Sequence, residues 1–262
     1  MRINATYRYP VKGLSAEPLE RVLLVAGECL PQDRRFAIAR ASTVFDPRRP
    51  EWLPKTSFYM LMRDERLAQL RTVVDATSDV LSVACEGREV LRACLTDAAD
   101  RARVEAFLAE FLETARDGRP RLVEAPGHTF ADARRRPNAA SDKYVSLVNL
   151  SSIAELERAA GMPLDPIRFR ANFYFDDAPA WTELEWVGRE LAAGGARLRV
   201  VSTTTRCAAT TVNPATARRD MEVPALLQRT FGHNVMGVYA EVIAGGEVRR
   251  GDRLAALRPP EA

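Results

Sequence analysis

The sequence predicts an α+β fold dominated by strands, and three observations carry that prediction. Short apolar runs alternate with polar residues at period two along much of the chain. Helical spacing is confined to a few stretches, and strands and helices do not alternate in the regular order that a doubly wound sheet needs. Taken in order, "RRFAIA" reads as a strand, and "DVLSVACEGREVLRACL" reads as two strands joined at Glu86-Gly87. In "DRARVEAFLAEFLETARDG", Val104, Phe107, Leu108, Phe111 and Leu112 recur at helical spacing, with Gly118 near the stop.

Residues 116–142, rich in Arg, Pro, Gly and Ala, read as a connector or long loop, so the chain divides into domains at 1–115 and 116–262. Beyond it, "KYVSLVNL" is a strand feeding the helix "SSIAELERAAG", where Ser152 and Glu155 fit a capping box and Gly161 fits the end. The start of such a helix offers backbone N–H groups to an anion. "RANFYFD" and "ARLRVVS" follow as strands, then the short helix "VPALLQRTFG". "GVYAEVIAGGEVRRGDRLAAL" reads as a hairpin turning at Gly245-Gly246, with a second turn at Gly251-Asp252.

With 262 residues, 47% hydrophobic and 28% charged, the chain is long enough for a sizeable core and has ordinary globular composition. A net charge of +3 does not call for a polyanionic partner, so no nucleic acid is expected. The N-terminal "MRINATYRYPVKGL" lacks the apolar stretch of a signal peptide, and no segment reaches the ~18 apolar residues of a membrane span. The expectation is a cytoplasmic protein without a membrane partner. Cys29, Cys85, Cys94 and Cys207 form no CxxC pair and no zinc-type cluster, and a reducing compartment would leave them as thiols.

Cys207 stands in "TTTRCAATTVNP", just past a strand and just before a turn at Asn213-Pro214. Read alone, it is either a buried small hydrophobe or a thiolate on a loop at a strand's end, where functional residues gather. An Arg206 side chain turned toward the sulfur would favour the thiolate, which can act as nucleophile, sulfur carrier or soft-metal ligand. A Cys–His hydrolase would need a base, and both histidines, His128 and His233, sit in loop-like positions. No G-x-G-x-x-G or Walker A pattern is present.

The ordered set "YPVKGL", "DRRFAI", "NLSS", "RFRANFYFD", "RCAATTVNP" and "FGHNVMGVYAEV…GD" resembles proteins that join a MOSC N-terminal β-barrel domain to a MOSC domain. MOSC denotes the C-terminal region of molybdenum cofactor sulfurase; the mitochondrial amidoxime-reducing component and its bacterial relatives are similar. The resemblance spans nearly the whole chain. It implies a β-barrel domain over 1–115 and a MOSC β-barrel with a few peripheral helices over 116–262.

It also implies the molybdenum cofactor (Mo-molybdopterin), with Cys207 as metal ligand and catalytic residue. Lys12, Arg34, Arg170 and Asn172 would surround the pterin phosphate. Ser151 would add a hydroxyl and helix amides, and Thr205, Arg206 and Tyr239 would complete the surround near the metal. Each has an ordinary reading beside it: Lys and Arg as surface charges, Ser151 as a helix cap, Tyr239 as a strand residue with one wet edge.

The chain departs from the pattern at Gly13, where relatives often carry serine, and at Asn213 and Ala217 of "VNPATA", where relatives often read "VDPDTG". Asn213 can organise a turn but cannot carry a proton as a carboxylate would, and Ala217 is less comfortable than glycine at positive φ.

The implied activity is reduction of a small N-hydroxylated substrate, with electrons from an external donor such as a ferredoxin, flavodoxin or cytochrome b5-like protein. A separate donor is expected because no cysteine follows Cys207 to hold an iron–sulfur cluster. The alternatives are a sulfur carrier using a Cys207 persulfide and a non-catalytic pterin- or phosphate-binding module. The family also has an association with pyridoxal phosphate, through the desulfurase domain of molybdenum cofactor sulfurase.

Overall fold

The computed structural model describes residues 1–114, 118–133 and 143–257. Its strands are β1 (Arg2–Arg8), β2 (Glu17–Pro18), β3 (Arg21–Leu24), β4 (Phe36–Ala39), β5 (Leu70–Val74), β6 (Val80–Cys85), β7 (Arg88–Cys94) and β8 (Arg121–Glu124). After these come β9 (Val145–Asn149), β10 (Phe173–Asp176), β11 (Glu190–Ala193), β12 (Ala196–Thr205), β13 (Val235–Ala244), β14 (Gly246–Arg249) and β15 (Leu254–Ala256). Among the described residues three α-helices accompany them: α1 (Ala98–Phe111), α2 (Leu150–Ala160) and α3 (Val223–Phe231). The α+β, strand-dominated class holds.

The largest sheet is curled like half a barrel, in the order β15-β11-β12-β13-β9-β10-β1-β2. Alternation explains its inner face: in β12, Ala196, Leu198 and Val200 are buried while Arg197 and Arg199 between them are exposed. Leu147, Phe175, Trp186, Leu198 and Val238 fill the core on that face. The β9–β10 pair is parallel, with α2 as the crossover between them. Ile153 and Leu156 of α2 and Leu226 and Leu227 of α3 pack with Val148 and Tyr174 as a second core.

A smaller unit is formed by β5-β6-β7 and α1. The β6–β7 turn falls at Glu86-Gly87 as expected, and both residues adopt the positive φ of a tight hairpin. Val104 and Leu108 of α1 meet Leu81, Val83, Phe36 and Ile38 in a core of their own.

Strand pairing crosses the expected 115/116 division in both directions. β1 pairs with β10 and β3 with β14, while β8 pairs with β4. The expected connector therefore holds a strand, β8, whose two central residues Leu122 and Val123 are buried. Four residues were too short a period for the sequence to show. Most of "ARRRPNAASD", residues 134–142, lies outside the described residues.

Two further expectations are corrected. Gly245-Gly246 is no hairpin turn, because β14 leaves β13 to pair with β3. A side chain at Gly246 would press into the Gly195 carbonyl, so close backbone approach explains that glycine. In α2 the cap is Asn149, whose side chain accepts from the Ser151 N–H, while Gly161 ends the helix with φ 68° as expected. Ser152 is inside the helix, fully buried, and donates to the Glu183 carboxylate.

Candidate functional site

A cleft of about 380 Å³ lies where loops of the N-terminal half meet the strand ends of the large sheet. Lys12, Gly13, Asp33, Arg34 and Lys55 line it from the first half, and Asp132 from the segment after β8. From the second half come Ser146, Arg168, Arg170, Asn172, Thr205, Arg206, Cys207 and Tyr239. The structure thus gathers Lys12, Arg34, Arg170, Asn172, Thr205, Arg206, Cys207 and Tyr239 in one place. Ser151 does not line the cleft: its helix start is closed by Asn149.

The anion-facing end is built around Tyr9. The guanidiniums of Arg34 and Arg170 lie 4.7 and 4.4 Å from its ring centre. Both arginines hold positive φ, 52° and 50°, a region that costs an L side chain about 1–2 kcal/mol. Backbone strain at two of the cleft's cations is of the kind that gathers at functional sites. Arg34 is paired with the Asp33 carboxylate and donates to the Arg170 carbonyl at 3.0 Å. Arg170 donates to the Leu14 carbonyl at 2.8 Å, and burial lowers its pKa.

Lys12 is buried, and its ammonium donates to the Phe130 carbonyl at 2.7 Å and pairs with Asp132. Burial pulls the Lys12 pKa down, with Asp132 opposing. Burial pushes the Asp132 carboxyl up, but Lys12 outweighs it and holds the group below its ordinary value. Asn172 accepts from the Ser146 N–H and hydroxyl through its side-chain oxygen, which fixes the floor beside Arg170.

At the other end, β12 runs on to Thr205, so Arg206 and Cys207 follow immediately after the strand. Cys207 is half-buried and precedes a 3-10 turn at Ala208–Thr211. Arg206 does not turn to the sulfur. It is buried and donates to the Met236 carbonyl at 2.8 Å and the Phe169 carbonyl at 2.8 Å. No carboxylate pairs with it among the described residues, and burial lowers its pKa.

The cation beside the sulfur is Lys55, which sequence reasoning missed. Burial lowers the Lys55 pKa, but the Cys207 sulfur and the Asp132 charge outweigh it and raise it overall. Tyr239, on β13 opposite Ser146, has its pKa raised by burial and by Asp132, so it faces the cleft as a neutral hydroxyl.

The three departures now have structural explanations. Gly13 has φ 86°, and a Cβ there would stand 3.1 Å from the Tyr59 carbonyl oxygen, so the backbone conformation favours glycine and disfavours serine. The Asn213 side-chain oxygen accepts from the Ala215 and Thr216 N–H groups at 2.9 and 3.3 Å, the expected turn. Asn213 does not line the cleft, so it subtracts no proton carrier there. Ala217 does take positive φ, 55°. Neither His128 nor His233 lines the cleft; their rings meet Phe130 and Trp181 edge-to-face, which leaves the cleft without the base of a thiol hydrolase among the described residues.

Six cationic side chains against two carboxylates give the cleft an excess of positive charge, with one soft donor in its wall. Residues 128–255 match the MOSC domain family model. Three solved structures are similar to the chain. YiiM from Geobacillus stearothermophilus is 19% identical with a TM-score of 0.35, over 44% of this chain and 54% of that one. The YuaD protein from Bacillus subtilis is 12% identical with a TM-score of 0.42, over 97% and 93%. YiiM from Escherichia coli is 20% identical with a TM-score of 0.33, over 45% and 56%. The chain spans about half the length of the YiiM structures it matches. No curated protein matches the sequence.

The residues present fit an anionic group that carries a soft metal. Arg206 is a buried charge that makes no ion pair with a carboxylate among the described residues, although the Glu183 charge bears on it. Thr204, also lining the cleft, keeps a buried hydroxyl with no hydrogen-bond partner among the described residues. Among the described residues no helix is long and apolar enough to cross a membrane, and no three His, Cys, Asp or Glu cluster to hold a metal by themselves.

Proposed function

We propose that this protein is a molybdenum-cofactor-dependent reductase of N-hydroxylated compounds, with Cys207 as metal ligand. One observation carries the reading: the half-buried Cys207 and the strained pair Arg34 and Arg170 line the same cleft. The cofactor, when bound, supplies two-electron chemistry at its metal. Lys12, Arg34 and Arg170 would hold its phosphate, Asn172 and Ser146 would keep that end rigid, and Arg206 would place a fixed positive charge behind Cys207. Thr205 and the neutral Tyr239 hydroxyl offer hydrogen bonds near the sulfur end. Electrons would come from a ferredoxin, a flavodoxin or a cytochrome b5-like protein, and cytoplasmic residence suits such donors.

The test is metal and pterin analysis of protein expressed with molybdate, followed by hydroxylamine reduction with an artificial electron donor. Wild type should carry molybdenum stoichiometrically and turn over; Cys207→Ala should lose both. Equal turnover in the two proteins sinks the reading. The partial exposure of Cys207 also favours a second reading, a sulfur carrier, which would show cyanide-labile sulfur on Cys207 without metal. Pterin binding that persists unchanged in Cys207→Ser, without turnover, would leave a binding module.

A further inference from the structure

The turn that follows Cys207 is tied to the opposite lip of the cleft by a side chain that does not itself line the cleft. Past the sulfur, the chain forms the 3-10 turn Ala208–Thr211, reverses at Asn213-Pro214 and returns so that Arg219 faces Val212 in an isolated antiparallel bridge. Asn213 closes that reversal with its side-chain hydrogen bonds, and Ala217 completes it at positive φ. The return delivers the Arg219 guanidinium to the gap between the two halves.

There one terminal nitrogen, Nη1, donates to the Ala208 carbonyl at 3.0 Å and to the Thr211 hydroxyl at 2.8 Å. The other, Nη2, donates to the Leu61 and Met62 carbonyls at 3.1 and 3.0 Å and meets the Glu65 carboxylate at 2.9 Å. Leu61 and Met62 line the cleft from the first half, and Cys207, Ala209 and Thr210 line it from the second. A planar fork therefore spans the mouth, one prong on each lip. Behind the turn, Arg168 takes the Thr210 and Thr211 carbonyls at 3.4 and 3.2 Å, which fixes the turn within its own half. The Arg219 and Glu65 side chains stay 30% and 43% exposed, so their ion pair contributes little by itself, and the backbone carbonyls set the geometry.

We propose that Arg219 is a positioning residue: it latches the turn after Cys207 to the lip at 61–65 and thereby sets the size of molecule that reaches the sulfur. The proposal rests on the reading of Cys207 as the reactive end of the cleft. It narrows the substrate class to compact N-hydroxylated molecules. Bulk is selected at the lips, and charge is selected by the cations deeper in the cleft.

The test follows labelling of the Cys207 peptide by mass spectrometry in metal-free folded protein, with N-methylmaleimide and N-benzylmaleimide in parallel and glutathione as the open reference. Both reagents are uncharged and add the same thiolate across the same double bond. The ratio of their rates therefore cancels ionisation and local charge and reads the room around the sulfur. Wild type should favour the smaller reagent relative to glutathione, and Arg219→Gln should reduce that preference about fivefold. Arg219→Lys keeps the charge on a single nitrogen that cannot span both lips, so it should reduce the preference likewise; it is the second variant if the glutamine form does not fold. Arg218→Gln, a change at the exposed neighbour, should keep the wild-type ratio. A ratio unchanged in the Arg219 variants, even with both rates raised, overturns the proposal, and so does a wild type without size preference. In molybdenum-loaded enzyme, kcat/KM for N-benzylhydroxylamine relative to hydroxylamine should rise in Arg219→Gln. A wild type that holds no molybdenum and reduces nothing defeats the reductase reading, while the labelling ratio still decides the role of Arg219.

Discussion

The two walls of the cleft hold their positive charges by different means. On the N-terminal wall, Lys12 and Arg34 donate to the Phe130 and Arg170 carbonyls and are also paired with the carboxylates Asp132 and Asp33. On the wall from the second half, Arg168 is paired with Asp220, but Arg170 and Arg206 donate to backbone carbonyls alone and make no ion pair among the described residues. A carboxylate partner cancels charge and can be displaced by an incoming anion, whereas a carbonyl orients the cation and leaves its charge whole. The first wall is thus exchangeable and the second permanent. Lesions in the second should cost folding, and lesions in the first should cost ligand.

The largest expected effect is at Gly237, where φ is 76° and a Cβ would press into the Leu147 carbonyl and the Val148 side chain, next to the Arg206 guanidinium. Gly237→Ala should lose about 3 kcal/mol or more, or fail to fold, in a denaturant titration. A variant as stable as wild type would break the claim that the second wall is rigid.

Next comes a paired comparison. Arg206→Met leaves the Met236 and Phe169 carbonyls without their donor and should cost about 2–4 kcal/mol. Lys12→Met should cost about 1 kcal/mol, because the Asp132 side chain is already 46% exposed and can turn to water. Phosphate binding, measured by calorimetry, should nevertheless be lost in Lys12→Met. Equal stability losses in the two variants would erase the difference between the walls.

Sequence reasoning recovered the elements whose signal is local. Glu86-Gly87, the α1 spacing and Gly161 each declare themselves within a few residues. Ser151 misled because a serine beside a helix start looks like an anion site, and nothing nearby reveals that Asn149 takes the amide first. Arg206 misled for a related reason: adjacency to Cys207 says nothing of where a long side chain goes, and here it reaches carbonyls on β13 and near β10. Lys55 was invisible because it stands 152 positions before Cys207 and its surroundings, "WLPKTSF", have no periodicity to locate them. Arg34 and Arg170 were legible as charges but not as strained residues, since positive φ at arginine has no compositional sign.

The smallest expected effect sharpens the second wall. Ala217, at φ 55° in the loop that follows Cys207, should tolerate glycine with a gain of at most about 1 kcal/mol in thermal or chemical unfolding. A clear loss would mean that packing of its buried methyl outweighs the backbone strain.

The exchange of strands between the halves has a consequence for anyone who would take the molecule apart. With β1 and β3 lodged among late strands and β8 lodged among early ones, a cut near residue 115 leaves each fragment with unzipped edges and exposed hydrocarbon. Neither piece is a smaller version of the whole. The cleft belongs to the braid, and an isolated MOSC segment would lack Lys12, Arg34 and Lys55 together.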